Sequence, residues 1–425
     1  MDTRILQRII EDQRDEIERK VKRENIINRE KIDEIKEFLK YPNILAILGV
    51  RRCGKSILSY LLFGDEKFGH INFDDERLAD FKVSDFDNML EAFYGIYGKE
   101  LNCFVFDEIQ NADRWEKFVS RLRMNNKIII TGSNSKLLSS EMSTSLTGRH
   151  IDYTLFPFSF EEFLLYNGVK PNINLTRDIG VVKNLLNKYI NSGGFPETYT
   201  LGKNILMSIY NDIIEKDVIR RYKIRKVNEV RSMVRYLVAN FSSEISYNKL
   251  KNILNLNIST AKKYSDYISA AYMVFFIEKF SYKPKEQITG PRKVYCIDNG
   301  IANIISLKFS ENTGKLMENL TAIHLMRIKA NNPDFDVFYW KDYQQREVDF
   351  VIKEGLKVSR LIQVTYASGK DEIAEREITA LIKGSDELKC SHLYMLTWDY
   401  EDEGNFEGKM IKFIPLWKFL MDLNL

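Results

Sequence analysis

The chain has 425 residues, of which 44% are hydrophobic and 29% charged, and its formal net charge is +3. This length exceeds one ordinary domain, and the composition is that of a globular chain with ample core, which excludes a low-complexity protein. Because the net charge is so small, any affinity for nucleic acid has to come from local basic patches.

Cysteine spacing and hydropathy exclude several further classes. The four cysteines are scattered, and no Cys-x-x-Cys pair exists, so the sequence predicts neither a zinc ribbon nor a disulfide framework. The charged, amphipathic N-terminus lacks the apolar segment of a signal peptide, and no stretch approaches the ~18 apolar residues of a membrane span. We therefore expect a cytoplasmic protein with no membrane partner.

The first half of the chain predicts a helical segment followed by a parallel sheet. Isoleucines at loosely helical spacing indicate helix over residues 1–40. Beyond them, short apolar runs alternate with helical stretches, as in a parallel sheet with helices on both faces. The predicted strands are ILAIL (44–48), GHINFDD (69–75), NCFVFDE (102–108), KIIITGS (127–133) and IDYTLFP (151–157).

The segment GVRRCGKS (49–56) lies between the first predicted strand and the helical ILSYLL. Strand, G-x-x-x-x-G-K-S and helix in this order are the context of a phosphate-binding loop, which disfavours a chance match in a surface turn. Glycines let backbone amides turn towards phosphate oxygens, and we expect Lys55 to reach the β- and γ-phosphates and Ser56 to bind Mg²⁺. The predicted ATP contacts are Gly49, Arg51, Arg52, Cys53, Gly54, Lys55, Ser56 and Ile57.

Two later strands end in polar residues at the edge of the sheet where ligands bind. CFVFDE ends in Asp107, which we expect in the Mg²⁺ shell, and Glu108, which we expect to polarise the attacking water. KIIITGSNS ends in Asn134 (or Ser133), a candidate hydrogen-bond partner of that water or of the γ-phosphate. The structural alternatives are an acidic turn and a strand-end cap.

SLTGRH places Arg149 after the next predicted helix. An arginine beside a transferring phosphoryl group neutralises the charge that develops there, and a surface arginine is the alternative. The sequence leaves open whether Arg149 acts within its own chain or on a neighbour in a homo-oligomer.

Residues 229–300 have helix–turn–helix proportions, followed by an apolar strand and the basic segment YKPKEQITGPRKVY. In winged-helix modules the second helix, here ISTAKKYSDYISAA, enters the major groove of DNA. The candidate phosphate contacts are Lys262, Lys263, Arg292 and Lys293. A packing domain with solvated lysines, or one that contacts protein, is the alternative.

The C-terminal part carries polar residues at regular places on a predicted helix and two predicted strands. KLMENL carries Glu318 on the helix, REVDFVI carries Asp349 on a strand, and RLIQVTY carries Gln363 and Thr365 on the next strand. This order resembles the PD-(D/E)xK nuclease fold. Such nucleases bind Mg²⁺ with carboxylates and orient water with a lysine. Here Gln363 replaces an acid and Thr365 replaces the lysine.

These replacements predict that the nuclease activity is lost and that a structural or nucleic-acid-binding remnant is left. Gln363 still offers a carbonyl oxygen to a metal, but Thr365 cannot supply a positive charge. For cleavage, Lys341 or Lys353 would have to supply that charge from another position.

Taken in order, GVRRCGKS, FVFDEIQ, IIITGSNS, TGR, LFPFSFEEF and SGGFPE resemble a family of archaeal and bacterial AAA-type ATPases. The family is related to the AAA+ and STAND ATPases and carries a C-terminal domain of unknown function (DUF4143/DUF234-like). The resemblance covers nearly the whole chain and implies ATP hydrolysis. It matches Arg149 to the arginine-finger position and GGFP, with Pro196, to a motif near the adenine; a rigid interhelical turn is the alternative.

The sequence thus predicts an α/β protein with a parallel-sheet P-loop NTPase core. The predicted segments are an N-terminal helical segment (1–40), the ATPase core (41–165), a helical lid (166–228), a winged-helix-like domain (229–300) and a restriction-endonuclease-like α/β domain (301–425). We expect a Mg²⁺-dependent ATPase that couples its nucleotide state to binding or remodelling of duplex or branched DNA. The alternative is a regulatory protein in which ATP is a switch ligand, turnover is slow, and the output is binding of DNA or a protein partner. A small-molecule kinase is disfavoured, because it needs no water-activating glutamate.

Overall fold

The computed structural model describes residues 1–64, 66–137, 146, 148–306 and 313–421. The chain divides into two compact units, Met1–Phe156 and Pro157–Leu425. No helix within the described residues is both long enough and apolar enough to cross a membrane.

The first unit is built on a five-stranded sheet in which every pairing is parallel, in the order β2-β3-β4-β1-β5. Its strands are β1 Ile44–Leu48, β2 Gly69–Asn72, β3 Cys103–Asp107, β4 Lys127–Gly132 and β5 His150–Thr154. Its helices are α1 Thr3–Arg23, α2 Ile32–Phe38, α3 Lys55–Phe63, α4 Asp85–Tyr97 and α5 Trp115–Leu122. Every residue of β1 and β3 is buried, as in a parallel sheet covered on both faces. The predicted parallel α/β core is confirmed.

The N-terminal segment forms two helices where the sequence predicts one helical stretch. Asp2 caps α1, because its carboxylate accepts a hydrogen bond from the Arg4 amide. The chain leaves the helix after Arg23 and resumes at Ile32, and the connection contains Asn25 and Asn28. Asparagine side chains compete for backbone hydrogen bonds, which favours this interruption.

The second unit contains the remaining helices and a nine-stranded mixed sheet. Its helices are α6 Phe160–Tyr166, α7 Thr176–Ser192, α8 Pro196–Leu201, α9 Asn204–Asp212 with a π-helical continuation Ile213–Arg220, α10 Val227–Ala239, α11 Tyr247–Leu254, α12 Ile258–Ala270, α13 Pro284–Thr289, α14 Asn299–Ile305, α15 Thr313–Ala330, α16 Glu375–Leu388 and α17 Leu416–Leu420. Its strands are β6 Ser243–Ile245, β7 Val274–Lys279, β8 Arg292–Cys296, β9 Phe335–Lys341, β10 Glu347–Glu354, β11 Lys357–Val364, β12 Leu393–Thr397, β13 Asp402–Phe406 and β14 Lys409–Pro415.

This second sheet has the order β13-β14-β12-β11-β10-β9-β7-β8-β6. β6, β8 and β7 pair antiparallel, and α11 and α12 lie between β6 and β7 in the chain. β7 also pairs in parallel with β9, with Glu278 opposite Phe338. The hairpin after α12 is therefore continuous with the C-terminal sheet, a connection that sequence patterns did not predict.

Candidate functional site

Two positions in the loop between β1 and α3 require glycine, one because another part of the backbone comes very close and the other because of its backbone conformation. Gly49 has φ +155°, and a side chain there would collide with the carbonyl oxygen of Leu155. Gly54 has φ +105°, in the left-handed region, and directly precedes α3. The loop therefore turns tightly from the carboxyl edge of the sheet into the N-terminus of a helix.

Lys55, the first residue of α3, points back into this loop. Its side chain is 5% exposed, and Nζ donates hydrogen bonds to the carbonyl oxygens of Gly49 (3.1 Å) and Val50 (3.3 Å). Nζ also lies 3.3 Å from Oε1 of Glu108, at the end of β3. The structure therefore holds a buried ammonium beside the loop amides, an arrangement suited to a polyphosphate.

Asp107 ends β3 and accepts hydrogen bonds from two hydroxyls. Ser56 donates to one carboxylate oxygen and Thr131 to the other. Burial by itself would raise the pKa of Asp107, but the neighbouring His70 ring and these hydroxyls outweigh it and lower the pKa to about 2. Ser56 and Asp107 thus present an adjacent hydroxyl and ionised carboxylate, hard oxygen donors of the kind that Mg²⁺ prefers.

Glu108 is fixed by the polar end of β4. Its Oε2 accepts hydrogen bonds from the amide (3.2 Å) and hydroxyl (2.9 Å) of Ser133 and from Nε2 of Gln110 (2.6 Å). Burial would raise the pKa of Glu108, but the charges of Lys55 and Arg51 lower it. Glu108 is therefore an oriented, ionised carboxylate.

The two candidate partners on β4 differ in their contacts. Ser133 contacts Glu108 directly. Asn134 is buried, and its Oδ1 accepts a hydrogen bond from the Lys136 amide (2.8 Å). Of the two residues, Ser133 is the one that positions the carboxylate.

The other loop residues are spread over several environments. Arg51 pairs with Asp74 (2.8 Å), and Arg52 is exposed with φ +66°. Cys53 is buried, and burial raises the pKa of its thiol, so it is a packing residue and not a reactive thiolate. Ile57 is half-buried in the first turn of α3. Arg51 and Arg52 are thus the loop side chains able to add positive charge near the amides.

Arg149 lies at the amino-terminal end of the parallel strands, whereas this loop lies at their carboxyl-terminal end. The Ile44 amide, at the start of β1, donates to the Arg149 carbonyl (3.0 Å), and the Arg149 side chain is exposed. β1 is 5 residues long, which places about 16 Å of strand between Arg149 and the loop at about 3.3 Å per residue. The helix expected before Arg149 lies outside the described residues. Arg149 is therefore not close to the loop of its own chain.

Arg29 is a site residue that sequence reasoning missed. It lies in the connection between α1 and α2, is 6% exposed, and donates to the carbonyl oxygens of Cys53 (3.0 Å) and Phe156 (2.8 Å). It therefore ties the glycine-rich loop to the chain beyond β5. Nothing in the sequence distinguishes Arg29 from the other basic residues of the N-terminal segment.

Arg29→Ala is expected to lower thermal stability and to weaken nucleotide binding about tenfold. The change leaves two buried carbonyls without their donor, which costs about 1–3 kcal/mol, and it releases the loop from β5. Thermal unfolding and ATP titration by calorimetry measure the two effects. Arg23→Ala removes an exposed arginine from the same segment and serves as the control. Equal behaviour of the two variants would show that Arg29 does not position the loop.

GGFP forms a rigid turn between α7 and α8. Gly193 has φ +75°, and the Gly194 amide donates to Oδ2 of Asp298 (2.6 Å). A side chain at Gly194 would collide with the Phe158 carbonyl, and Pro196 begins α8. Burial raises the pKa of Asp298 to about 6. The contact of Pro196 with adenine stays a prediction.

The candidate DNA-contacting residues separate into two groups. Lys262 and Lys263 are exposed on α12, as expected. Arg292 instead pairs with Glu278 (3.1 Å), and Lys293 is only 2% exposed. The expectation that Lys293 contacts phosphate was wrong, because its ammonium is buried among carboxylates.

Those carboxylates include the nuclease-like residues. Nζ of Lys293 lies 2.9 Å from Glu318 and 2.9 Å from Asp349. Gln363 contacts the same group, since its Oε1 accepts a hydrogen bond from the Asp349 amide (3.2 Å). The structure thus brings Glu318, Asp349 and Gln363 together, around a lysine that the sequence placed elsewhere.

Comparison with known proteins covers most of the chain. Family models match an AAA domain over residues 41–164, a domain of unknown function (DUF8612) over 183–312 and another (DUF4143) over 313–419. The protein MJ1544 of Methanocaldococcus jannaschii is 36% identical, covering 94% of this chain and 92% of its own length. A Haemophilus influenzae protein is 27% identical, covering 92% and 98%.

Among solved structures, the STAND protein PH0952 of Pyrococcus horikoshii, which has a tetratricopeptide repeat sensor, has a TM-score of 0.27 at 13% identity. The alignment covers 72% of this chain and 46% of that protein. This score is too low to support conclusions, whereas the MJ1544 relationship extends over nearly both whole chains. The chain therefore belongs to the family of P-loop proteins that combine an AAA domain with a C-terminal domain of unknown function, DUF4143.

Proposed function

We propose that the chain is a Mg²⁺-dependent ATPase whose nucleotide state controls binding or remodelling of duplex or branched DNA. The observation that supports this most directly is the convergence of Lys55, Ser56, Asp107 and Glu108 at the carboxyl edge of one parallel sheet. Ligands of such sheets bind at this edge.

Each of these residues has a distinct role in hydrolysis. Lys55 and the loop amides bind the polyphosphate, and Ser56 and Asp107 hold Mg²⁺, which offsets phosphate charge. Glu108, kept ionised by its neighbours and oriented by Ser133, accepts a proton from water. The water oxygen then bonds to the γ-phosphorus as the bond to the ADP oxygen breaks.

Arg149 acts on a neighbouring copy of the chain in this proposal. Its position at the far edge of the sheet separates it from its own loop, and its exposed side chain suits a contact between subunits. An arginine supplied by a partner neutralises charge on the transferring phosphoryl group. We therefore propose a homo-oligomer as the active form.

The DNA contact is proposed on α12. The chain order β6, α11, α12, β7, β8 and the strand order β6-β8-β7 suit a winged-helix-like module, in which the second helix enters the major groove. Lys262 and Lys263 are exposed on that helix. Because the net charge of the chain is small, these two local charges are what would attract the phosphates of DNA.

Loss of nuclease activity is part of the same proposal. Thr365 offers no positive charge, and the carbonyl oxygen of Gln363 already accepts an internal hydrogen bond from the Asp349 amide. The C-terminal domain then serves as a structural or nucleic-acid-binding element.

A protein-binding switch is the alternative, with ATP held as a ligand and hydrolysed slowly. Ile253 is 51% exposed on α11 and Ile258 is 43% exposed at the start of α12. Two large apolar side chains beside one turn favour a protein partner over DNA at this surface. DNA binding measurements separate the two functions.

We expect ATP turnover that requires Mg²⁺, and duplex or branched DNA should change its rate. Reversing two charges by Lys262→Glu with Lys263→Glu should weaken DNA binding at least tenfold and reduce the slope of log affinity against log salt. Fluorescence anisotropy with duplex, single-stranded and branched DNA at several salt concentrations, together with phosphate release, provides the measurements.

The matched control is Lys249→Glu with Lys251→Glu. Both lysines are exposed on α11, so the control changes net charge equally but leaves α12 intact. A DNA affinity that falls equally in both double variants would argue against α12 as the contact. Negligible turnover together with DNA-independent binding of ATP would favour the switch.

A further inference from the structure

Three carboxylates converge where the C-terminal domain resembles a nuclease. α15 contributes Glu318, and β10 contributes Glu347 and Asp349. Their side chains are 13%, 26% and 8% exposed, so they are largely removed from water. Burial raises the pKa of Glu318 to about 7. Buried carboxylates crowded in this way require a nearby cation.

The cation is the ammonium of Lys293, which comes from β8. Its Nζ lies 2.9 Å from Glu318, 2.6 Å from Glu347 and 2.9 Å from Asp349, and its side chain is 2% exposed. Burial would lower the pKa of Lys293, but the negative charges of the carboxylates raise it well above its ordinary value. Among the carboxylates, Asp349 has the largest effect. Lys293 is therefore charged and lies at the centre of the cluster.

Internal donors also satisfy the oxygens that a metal would need. One carboxylate oxygen of Asp349 accepts from Lys293 and the other from the Val364 amide (3.0 Å). Glu318 accepts from the Tyr295 hydroxyl (2.7 Å) as well as from Lys293. Across the part of the chain that the structure describes, no group of three or more His, Cys, Asp or Glu residues is arranged to hold a metal ion.

We propose that Lys293 is the built-in cation of this carboxylate cluster, occupying the position of a divalent metal and closing the cluster to metal ions. Because β8 belongs to the proposed winged-helix-like module and the carboxylates lie on α15 and β10, the cluster also fastens that module to the C-terminal domain. The inference rests on the proposed loss of nuclease activity only for its functional meaning, and the contacts of Lys293 do not depend on that loss. Its test measures stability and metal binding, so cleavage or its absence does not decide it.

Lys293→Met is expected to lower the melting temperature by about 5 °C or more, because it leaves buried carboxylates without their cation. Titration with Mn²⁺ should restore part of this loss, because the metal then enters the position of the ammonium. Wild-type protein should show no such stabilisation. Differential scanning calorimetry and electron paramagnetic resonance of Mn²⁺ provide the two readouts.

Lys341→Met is the matched control. Lys341 pairs with Glu244 (2.8 Å) and Glu347 (3.3 Å) at the border of the cluster. This variant should lose less stability and gain none from Mn²⁺, which also controls for metal binding in the ATPase core. If Lys293→Met does not fold, the double variant with Glu318→Gln should fold, since one uncompensated carboxylate is removed.

Three results would overturn the inference. The first is micromolar Mn²⁺ binding by wild-type protein that Glu318→Gln abolishes, which would make the cluster an open metal site. The second is an unchanged melting temperature in Lys293→Met. The third is a double variant no more stable than the single one, which would mean that Lys293 does not compensate the charge of Glu318.

Discussion

Lys55→Ala should raise the Kd for ATP about 100-fold or more. The lysine supplies a buried ammonium to two phosphate groups, and charge-assisted hydrogen bonds contribute about 1.5–3 kcal/mol each. Two tenfold steps of affinity correspond to about 2.8 kcal/mol. Calorimetric titration with ATP and Mg²⁺ measures the change.

The control for this variant is Lys67→Ala, which removes an exposed lysine from the same unit. Because Lys55 lies 3.3 Å from Glu108, its loss also leaves a buried carboxylate without its nearest cation. Circular dichroism of the variant therefore has to confirm a folded protein. ATP binding by folded Lys55→Ala with wild-type affinity would exclude this loop as the nucleotide site.

The sheet and the loop could be predicted from the sequence because their signals are local. Each strand of the first sheet is a short apolar run, and β1 is followed at once by the glycine-rich segment and α3. Asp107 and Glu108 directly follow the apolar run of β3. Parallel strands bring such ends together at one end of the sheet, so the strand ends, the motif and the chemistry all indicate the same site.

Lys293 was misassigned because a basic residue near a Gly-Pro pair is typical of an exposed hairpin. Strand periodicity contains a signal for its burial: Lys293 and Tyr295 are two residues apart and therefore share one face of β8. Both contact Glu318. The carboxylates that hold the lysine lie 25 and 56 positions away in sequence, and a single sequence does not reveal such pairings.

The sequence predicts in part where Arg149 lies. A residue that immediately precedes a parallel strand lies at the amino edge of the sheet, whereas a loop that follows a strand lies at the carboxyl edge. Arg149 precedes β5, and Gly49 follows β1. The burial of Arg29 could not be predicted from the sequence, because it depends on a contact with the carbonyl of Phe156, which is 127 positions away.

Glu108→Gln should bind ATP with near wild-type affinity and lose turnover by about 100-fold or more. Glutamine keeps the size of the side chain and a carbonyl oxygen that accepts from Ser133, but it cannot take a proton from water, and general-base catalysis contributes about 10²–10⁴-fold. The charges of Lys55 and Arg51 lower the pKa of Glu108 in the native protein, so this carboxylate is ionised at neutral pH. Single-turnover phosphate release and ATP titration separate chemistry from binding.

Two further variants determine what a loss of turnover in Glu108→Gln means. Glu100→Gln makes the same chemical change at an exposed glutamate and should hydrolyse ATP as wild type does. Ser133→Ala removes the hydroxyl that fixes the Glu108 carboxylate, and it should lower turnover less than Glu108→Gln, because the Ser133 amide and Gln110 still donate to Oε2. Undiminished hydrolysis by Glu108→Gln would remove Glu108 from the base role, because a residue that takes the proton cannot be replaced by one that is unable to accept it.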